Sequence, residues 1–80
     1  MKKLNTDHIT PVMEIPLKDY QKARAAGDCQ DKVHNAILLR RKREQNEVDT
    51  QDRYQLIYVE GMQAFYGGLW TLDGFKKFLI

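Results

Sequence analysis

The sequence predicts a small, mainly α-helical domain with an extended N-terminal arm. Apolar side chains recur every three to four positions along two long segments, which is the spacing of one helix face. Gly27 and the pair Gly67-Gly68 stand where such helices would end, and acidic or hydroxyl residues stand where they would begin. Eighty residues, of which 42% are apolar and 30% charged, suit one domain and exclude full disorder.

The N-terminal part is polar, with scattered apolar positions, and Pro11 would interrupt a strand ladder there. We therefore predict an extended arm over 1–15 and a single helical domain over 16–80. Pro16 suits the first turn of a helix, because the amide hydrogen that proline lacks has no helical partner at that position. The first helix is predicted to begin at Leu17 and to end before Gly27.

The second helix is predicted from Cys29 to Asn46, with Asp28 as its N-cap. Winding this segment at about 100° per residue gathers five apolar side chains on one face, namely Cys29, Val33, Ala36, Ile37 and Leu39. Leu38 falls off that face. It is therefore either an isolated exposed residue or a contact for a partner.

The third helix is predicted over 51–66, capped by Asp49 or Thr50 and packed antiparallel to the second. Its run Leu56 to Val59 lacks strict alternation, which favours a helix over a strand. Tyr, Ile, Val and Phe nevertheless favour sheets. An α+β alternative with a hairpin over 54–66 therefore stays open.

A short last helix is predicted after Thr71, which would cap it, and this helix would lie across one end of the core. With it, the predicted domain has about four helices.

Residues that carry catalysis or bind metals are scarce. The chain has one Cys and two His, and at helical spacing Cys29 and His34 would point to different sides. No serine and no glycine-rich phosphate loop is present. We therefore expect no enzyme activity, no cofactor and no metal site. A single Cys also excludes an intramolecular disulfide.

A basic cluster is the sharpest feature: Arg40, Arg41, Lys42 and Arg43 are four consecutive cations. On a helix these side chains would surround the axis as a collar. They are either a solvated helix end or a contact for phosphate or for an acidic partner.

Aromatic residues crowd the C-terminal third of the chain. Tyr66, Leu69 and Trp70, beside the glycine pair, are predicted to stay exposed and, with Leu38, to bind a partner. This predicts a small non-enzymatic regulator, inhibitor or adaptor that binds another protein and occludes its surface. Small regulators of this size are common among phage and mobile-element accessory proteins, an analogy from size alone. The alternative is a nucleic-acid-binding regulator that uses residues 40–43, and a homodimer is a further option.

No unbroken apolar stretch exceeds four residues, whereas a bilayer span needs about 20. Lys2 and Lys3 resemble the start of a signal peptide, but no apolar run follows them. We therefore expect no membrane association and a cytoplasmic location.

Overall fold

The computed structural model describes residues 2–43 and 52–80. The elements in these ranges are a 3-10 turn (Thr6–His8), β1 (Met13–Ile15), α1 (Leu17–Ala25), β2 (Cys29–Val33), β3 (Ala36–Arg40), β4 (Tyr54–Glu60), β5 (Gln63–Trp70) and α2 (Leu72–Lys76). The strands form one antiparallel sheet in the order β1-β5-β4-β3-β2. The prediction of a mainly α-helical domain is therefore wrong, because a five-stranded antiparallel sheet with two short helices makes this a small α+β or mainly-β domain.

Residues 29–40, predicted as part of a long helix, form the hairpin of β2 and β3 instead. The edge strand β2 alternates half-buried and exposed side chains. The inner strand β3 is covered on both faces, so Ala36, Ile37 and Leu38 are all buried. An apolar run of this kind has no period of its own, and a helical winding fits it by chance. The predicted helix end at 44–46 lies outside the described residues.

Residues 54–66, predicted as the third helix, belong to the hairpin of β4 and β5, which continues to Trp70. Gly61 begins its turn with a φ of +63°, a conformation that favours glycine. Leu56, Ile57 and Tyr58 are buried because β4 is the central strand. There is thus no packed pair of long helices in the described chain. The predicted caps Asp49 and Thr50 lie outside it.

Both short predicted helices are confirmed. α1 starts directly after Pro16 and ends just before Gly27, whose φ is +79°. The Thr71 side chain accepts a hydrogen bond from the backbone amide of Gly74 at 3.1 Å and so caps α2. These helices were predictable because capping and termination signals are local in sequence.

Two apolar cores lie on opposite faces of the sheet, since successive side chains of a strand point to opposite sides. On the α1 face the buried residues are Ile15, Tyr20, Ile37, Ile57 and Ala64. On the other face, which α2 and the N-terminal segment cover, they are Leu4, Ile9, Ala36, Leu38, Leu56, Tyr58 and Phe75. Neighbouring residues of β3 and β4 therefore serve different cores.

The N-terminal segment, predicted as an extended arm, packs against the sheet. Leu4 and Ile9 are buried, and the Leu4 amide donates to Asn35 Oδ1 at 2.8 Å. The backbones of Lys3 and Ile80 exchange two hydrogen bonds of 2.9 and 2.8 Å. The two ends of the chain are thus joined beside the second core.

Tyr58 buries a hydroxyl that has no hydrogen-bond partner among the described residues. Burial, with the nearby Glu60 carboxylate as a smaller cause, raises the pKa of Tyr58 above 10.0. We expect Tyr58→Phe to increase the free energy of unfolding by about 1 kcal/mol, because it removes an unsatisfied polar group. Urea unfolding at neutral pH measures this change.

The same substitution has a pH signature. In the wild type the folded state holds the tyrosine proton more tightly than the unfolded state, so stability falls as the pH rises through 10 and above. Tyr58→Phe removes this part of the loss, and the stability difference between variant and wild type should widen above pH 10. A constant difference from pH 7 to about 11 would contradict the assignment.

Candidate functional site

Of the predicted partner-binding residues, Leu38 lies in the core and Trp70 is half-buried against it. Leu38 is 0% exposed and packs under the face that α2 covers. Trp70 packs against the same core, with its ring edge-to-face on Phe78 at a centroid distance of 5.0 Å. Its indole Nε1 donates to the Gly67 carbonyl at 2.7 Å. Leu38 is therefore not exposed, and Trp70, which was expected to stay exposed, is half-buried with its ring on Phe78.

Tyr66 and Leu69 lie on the opposite face of the sheet from Trp70. Tyr66 packs against the core on the α1 side. Leu69 pairs with Gln55 of β4, and Gln55 in turn pairs with Leu39 of β3, which packs against the same core. The pairing between β4 and β5 shifts register between these two residues of β5. This bulge puts Tyr66 and Leu69 on one face although they are three positions apart.

Four apolar residues lie close together where β1 meets this bulge. Met13 pairs directly with Tyr66, and the Val12 amide donates to the Tyr66 carbonyl at 2.8 Å. Val12 Cγ2 also lies 3.7 Å from where a Cβ on Gly68 would stand, directly before Leu69. We call Val12, Met13, Tyr66 and Leu69 the apolar surface.

The apolar surface is accessible to solvent. Val12 is 72%, Met13 55% and Leu69 50% exposed, and Tyr66 is half-buried. The buried residue of α1, Tyr20, packs with Ile15 and Ala64, which lie towards the β4–β5 turn. Val12 and Met13 carry no local signal of a site, since only the long-range pairing of β1 with β5 brings them beside Tyr66.

The basic cluster does not form a collar. Arg40 is the last residue of β3, and Arg40 and Arg43 each place Nη2 3.2 Å from a carboxylate oxygen of Asp52. All four cations line a cavity of about 880 Å³ together with Asp28 and Asp52. These exposed ion pairs contribute at most about 1 kcal/mol each. They reduce the positive charge that the cluster offers to an anion.

Arg41 and Arg53 lie at one end of the sheet face that carries Tyr66 and Leu69 of the apolar surface. The Arg41 amide donates to the Arg53 carbonyl at 2.9 Å, which continues the ladder between β3 and β4 beyond its last residues. By strand alternation, positions 41 and 53 share the face of Leu39 and Gln55. Arg41 and Arg53 therefore stand at the end of this face.

In residues 2–43 and 52–80, no three His, Cys, Asp or Glu side chains are grouped so that they could hold a metal ion. In the same ranges, no helix has the length and apolar character needed to cross a membrane. In comparisons with protein-family models, curated proteins and solved structures, nothing matches this chain.

Proposed function

We propose that the protein is a small non-enzymatic binding module whose apolar surface docks onto another protein and occludes it. One observation carries this proposal. Of the five large apolar side chains exposed in the described residues, three belong to the apolar surface, namely Val12, Met13 and Leu69. Scattered exposed apolar residues are normal, but a contiguous group at one place marks an interaction surface.

The composition of the surface indicates the chemistry of the partner. A complementary partner would present apolar side chains to Val12, Met13 and Leu69. Tyr66 in the middle adds an aromatic ring with a polar tip, a residue type that is enriched at binding hot spots.

Side chains rather than strand backbone would form the contact. β1 offers an outer edge, but it is only three residues long, and short charged edge strands resist pairing with other strands. Glu14 supplies such a charge, and its carboxylate accepts a hydrogen bond from Gln63 Nε2 at 3.1 Å. This arrangement favours docking on the sheet face.

The alternative, a nucleic-acid-binding regulator that uses residues 40–43, has less support. Asp28 and Asp52 line the same cavity as the four cations, and Asp52 pairs with two of them. Carboxylates at that place would repel a phosphate backbone.

Leu69→Asp tests the proposal, with Met62→Asp as the matched control. Both side chains are exposed, at 50% and 84%, but Met62 lies in the β4–β5 turn, away from the apolar surface. In affinity capture from a nuclease-treated cell lysate, we expect the wild type and Met62→Asp to retain the same partner protein. Leu69→Asp should not retain it. An unchanged melting temperature of the variant separates lost binding from lost folding.

Equal capture of that protein by Leu69→Asp and by the wild type would refute the proposed surface. If nuclease treatment abolishes the capture of every protein, the result would instead favour the nucleic-acid alternative.

A further inference from the structure

We propose that a second cavity, beside the edge strand β2, binds the phosphate groups of an anionic ligand. This cavity has a volume of about 590 Å³ and is lined by Lys2, Arg24, Asp31, Lys32, Val33, His34, Lys76 and Leu79. We call it the basic cavity. It shares no residue with the apolar surface or with residues 40–43, so the inference is independent of the proposed function.

The basic cavity collects cations from four separate parts of the chain. Lys2 comes from the N-terminal segment, Arg24 from α1, Lys32 from β2 and Lys76 from α2. Asp31 is the one carboxylate among the lining residues that the structure describes. The fold thus brings together charges that repel one another. In the described ranges none of these four cations forms an ion pair with a carboxylate within 4.0 Å.

Hydrogen bonds hold the walls of the cavity in place. Arg24 Nη1 bonds to the Tyr20 hydroxyl at 2.8 Å, and Lys32 Nζ donates to the Arg24 carbonyl at 3.0 Å. The His34 amide donates to the Lys2 carbonyl at 3.2 Å, which ties the N-terminal segment to the β2–β3 turn. These bonds hold the Arg24 and Lys32 side chains and the Lys2 backbone in place before any ligand arrives.

Phosphate is the chemical group that suits this set of donors. A guanidinium and several ammonium groups donate charge-assisted hydrogen bonds to phosphate oxygens without needing a proton from the ligand. Val33 and Leu79 give the cavity an apolar part that can contact an uncharged portion of the ligand. Its volume lies in the general range of small-molecule sites, about 300–1,000 Å³.

A neighbouring cavity of about 560 Å³ extends the site, since Arg24 and His34 line both. Lys3 adds a further cation there, opposed by Asp7 and Glu60. The ligand's phosphate could therefore belong to a free phosphorylated compound or to a nucleic-acid strand that passes through both cavities. The two sources differ in how strongly added salt weakens binding.

Titration calorimetry with pyrophosphate and with a twelve-nucleotide single strand tests the proposal. The test variant is Lys32→Gln with Lys76→Gln, and the control is Arg40→Gln with Arg43→Gln, which removes the same number of positive charges elsewhere. We expect the test variant to weaken binding of the better probe at least about tenfold, because it loses two charge-assisted contacts. The control should change it less than about twofold. All four substituted side chains are exposed, so both variants should keep the wild-type melting temperature.

Tighter binding of the oligonucleotide, with a steep loss in salt, would identify nucleic acid as the phosphate source. Equal or tighter binding of pyrophosphate would identify a free phosphorylated compound. The proposal is overturned if neither probe binds saturably, or if both double variants weaken binding to the same degree.

Discussion

Leu38→Ala is expected to lower the free energy of unfolding by about 2–5 kcal/mol, and Ile37→Ala by a similar amount. Both side chains are 0% exposed, and they lie in different cores because β3 is covered on both faces. Each truncation leaves a cavity in closely packed surroundings, which adds to the lost transfer free energy. Urea unfolding monitored by fluorescence measures both losses.

Met62→Ala is the control for these substitutions. Met62 is 84% exposed, so its truncation should change the free energy of unfolding by no more than about 0.5 kcal/mol. A helical register predicts a different result, in which Ile37→Ala is costly and Leu38→Ala almost neutral. That result would contradict the sheet described here.

Gly67→Val is expected to destabilise the protein by at least about 1–3 kcal/mol, through overpacking. A Cβ at Gly67 would stand 2.7 Å from Leu56 Cδ2 and 3.1 Å from Tyr58 Cε1, and both of these side chains are fully buried. The backbone at Gly67 does not have a positive φ. The expected loss is therefore steric, and it should be smaller for Gly67→Ala than for Gly67→Val.

Gly67→Ala tests this steric explanation through the sign of its change in the free energy of unfolding. Replacing a strand glycine with alanine ordinarily stabilises a protein by about 0.5–1 kcal/mol, because the unfolded chain loses conformational freedom. Here the close approach of Leu56 reverses that expectation. A higher melting temperature for Gly67→Ala would show that the core has room for the added methyl group.

Local signals in the sequence predicted the local parts of the fold. Pro16 and Gly27 delimit α1, and Thr71 caps α2, because these effects depend on neighbouring residues alone. The central strands β3 and β4 gave no such signal. Their apolar runs are buried on two sides, so they lack the alternation by which a half-buried strand is recognised.

The candidate site was predicted only in part, because only its local features can be recognised from the sequence. Tyr66 and Leu69 stand next to a glycine pair, and that local feature indicated that they could be exposed. Trp70 is one position further, and the bulge in β5 turns it to the opposite face, where it packs on Phe78. Met13 reaches the site only through pairing with Tyr66, 53 positions along the chain, which no local pattern encodes.

Methyl NMR of the protein with its captured partner tests the central claim most directly. The chain has only three methionines; Met13 lies in the apolar surface and Met62 in the distant β4–β5 turn. If a partner docks on the apolar surface, the Met13 methyl signal should shift or broaden during the titration while that of Met62 stays unchanged. A shift of Met62 with an unperturbed Met13 would contradict the claim and place the partner elsewhere on the molecule.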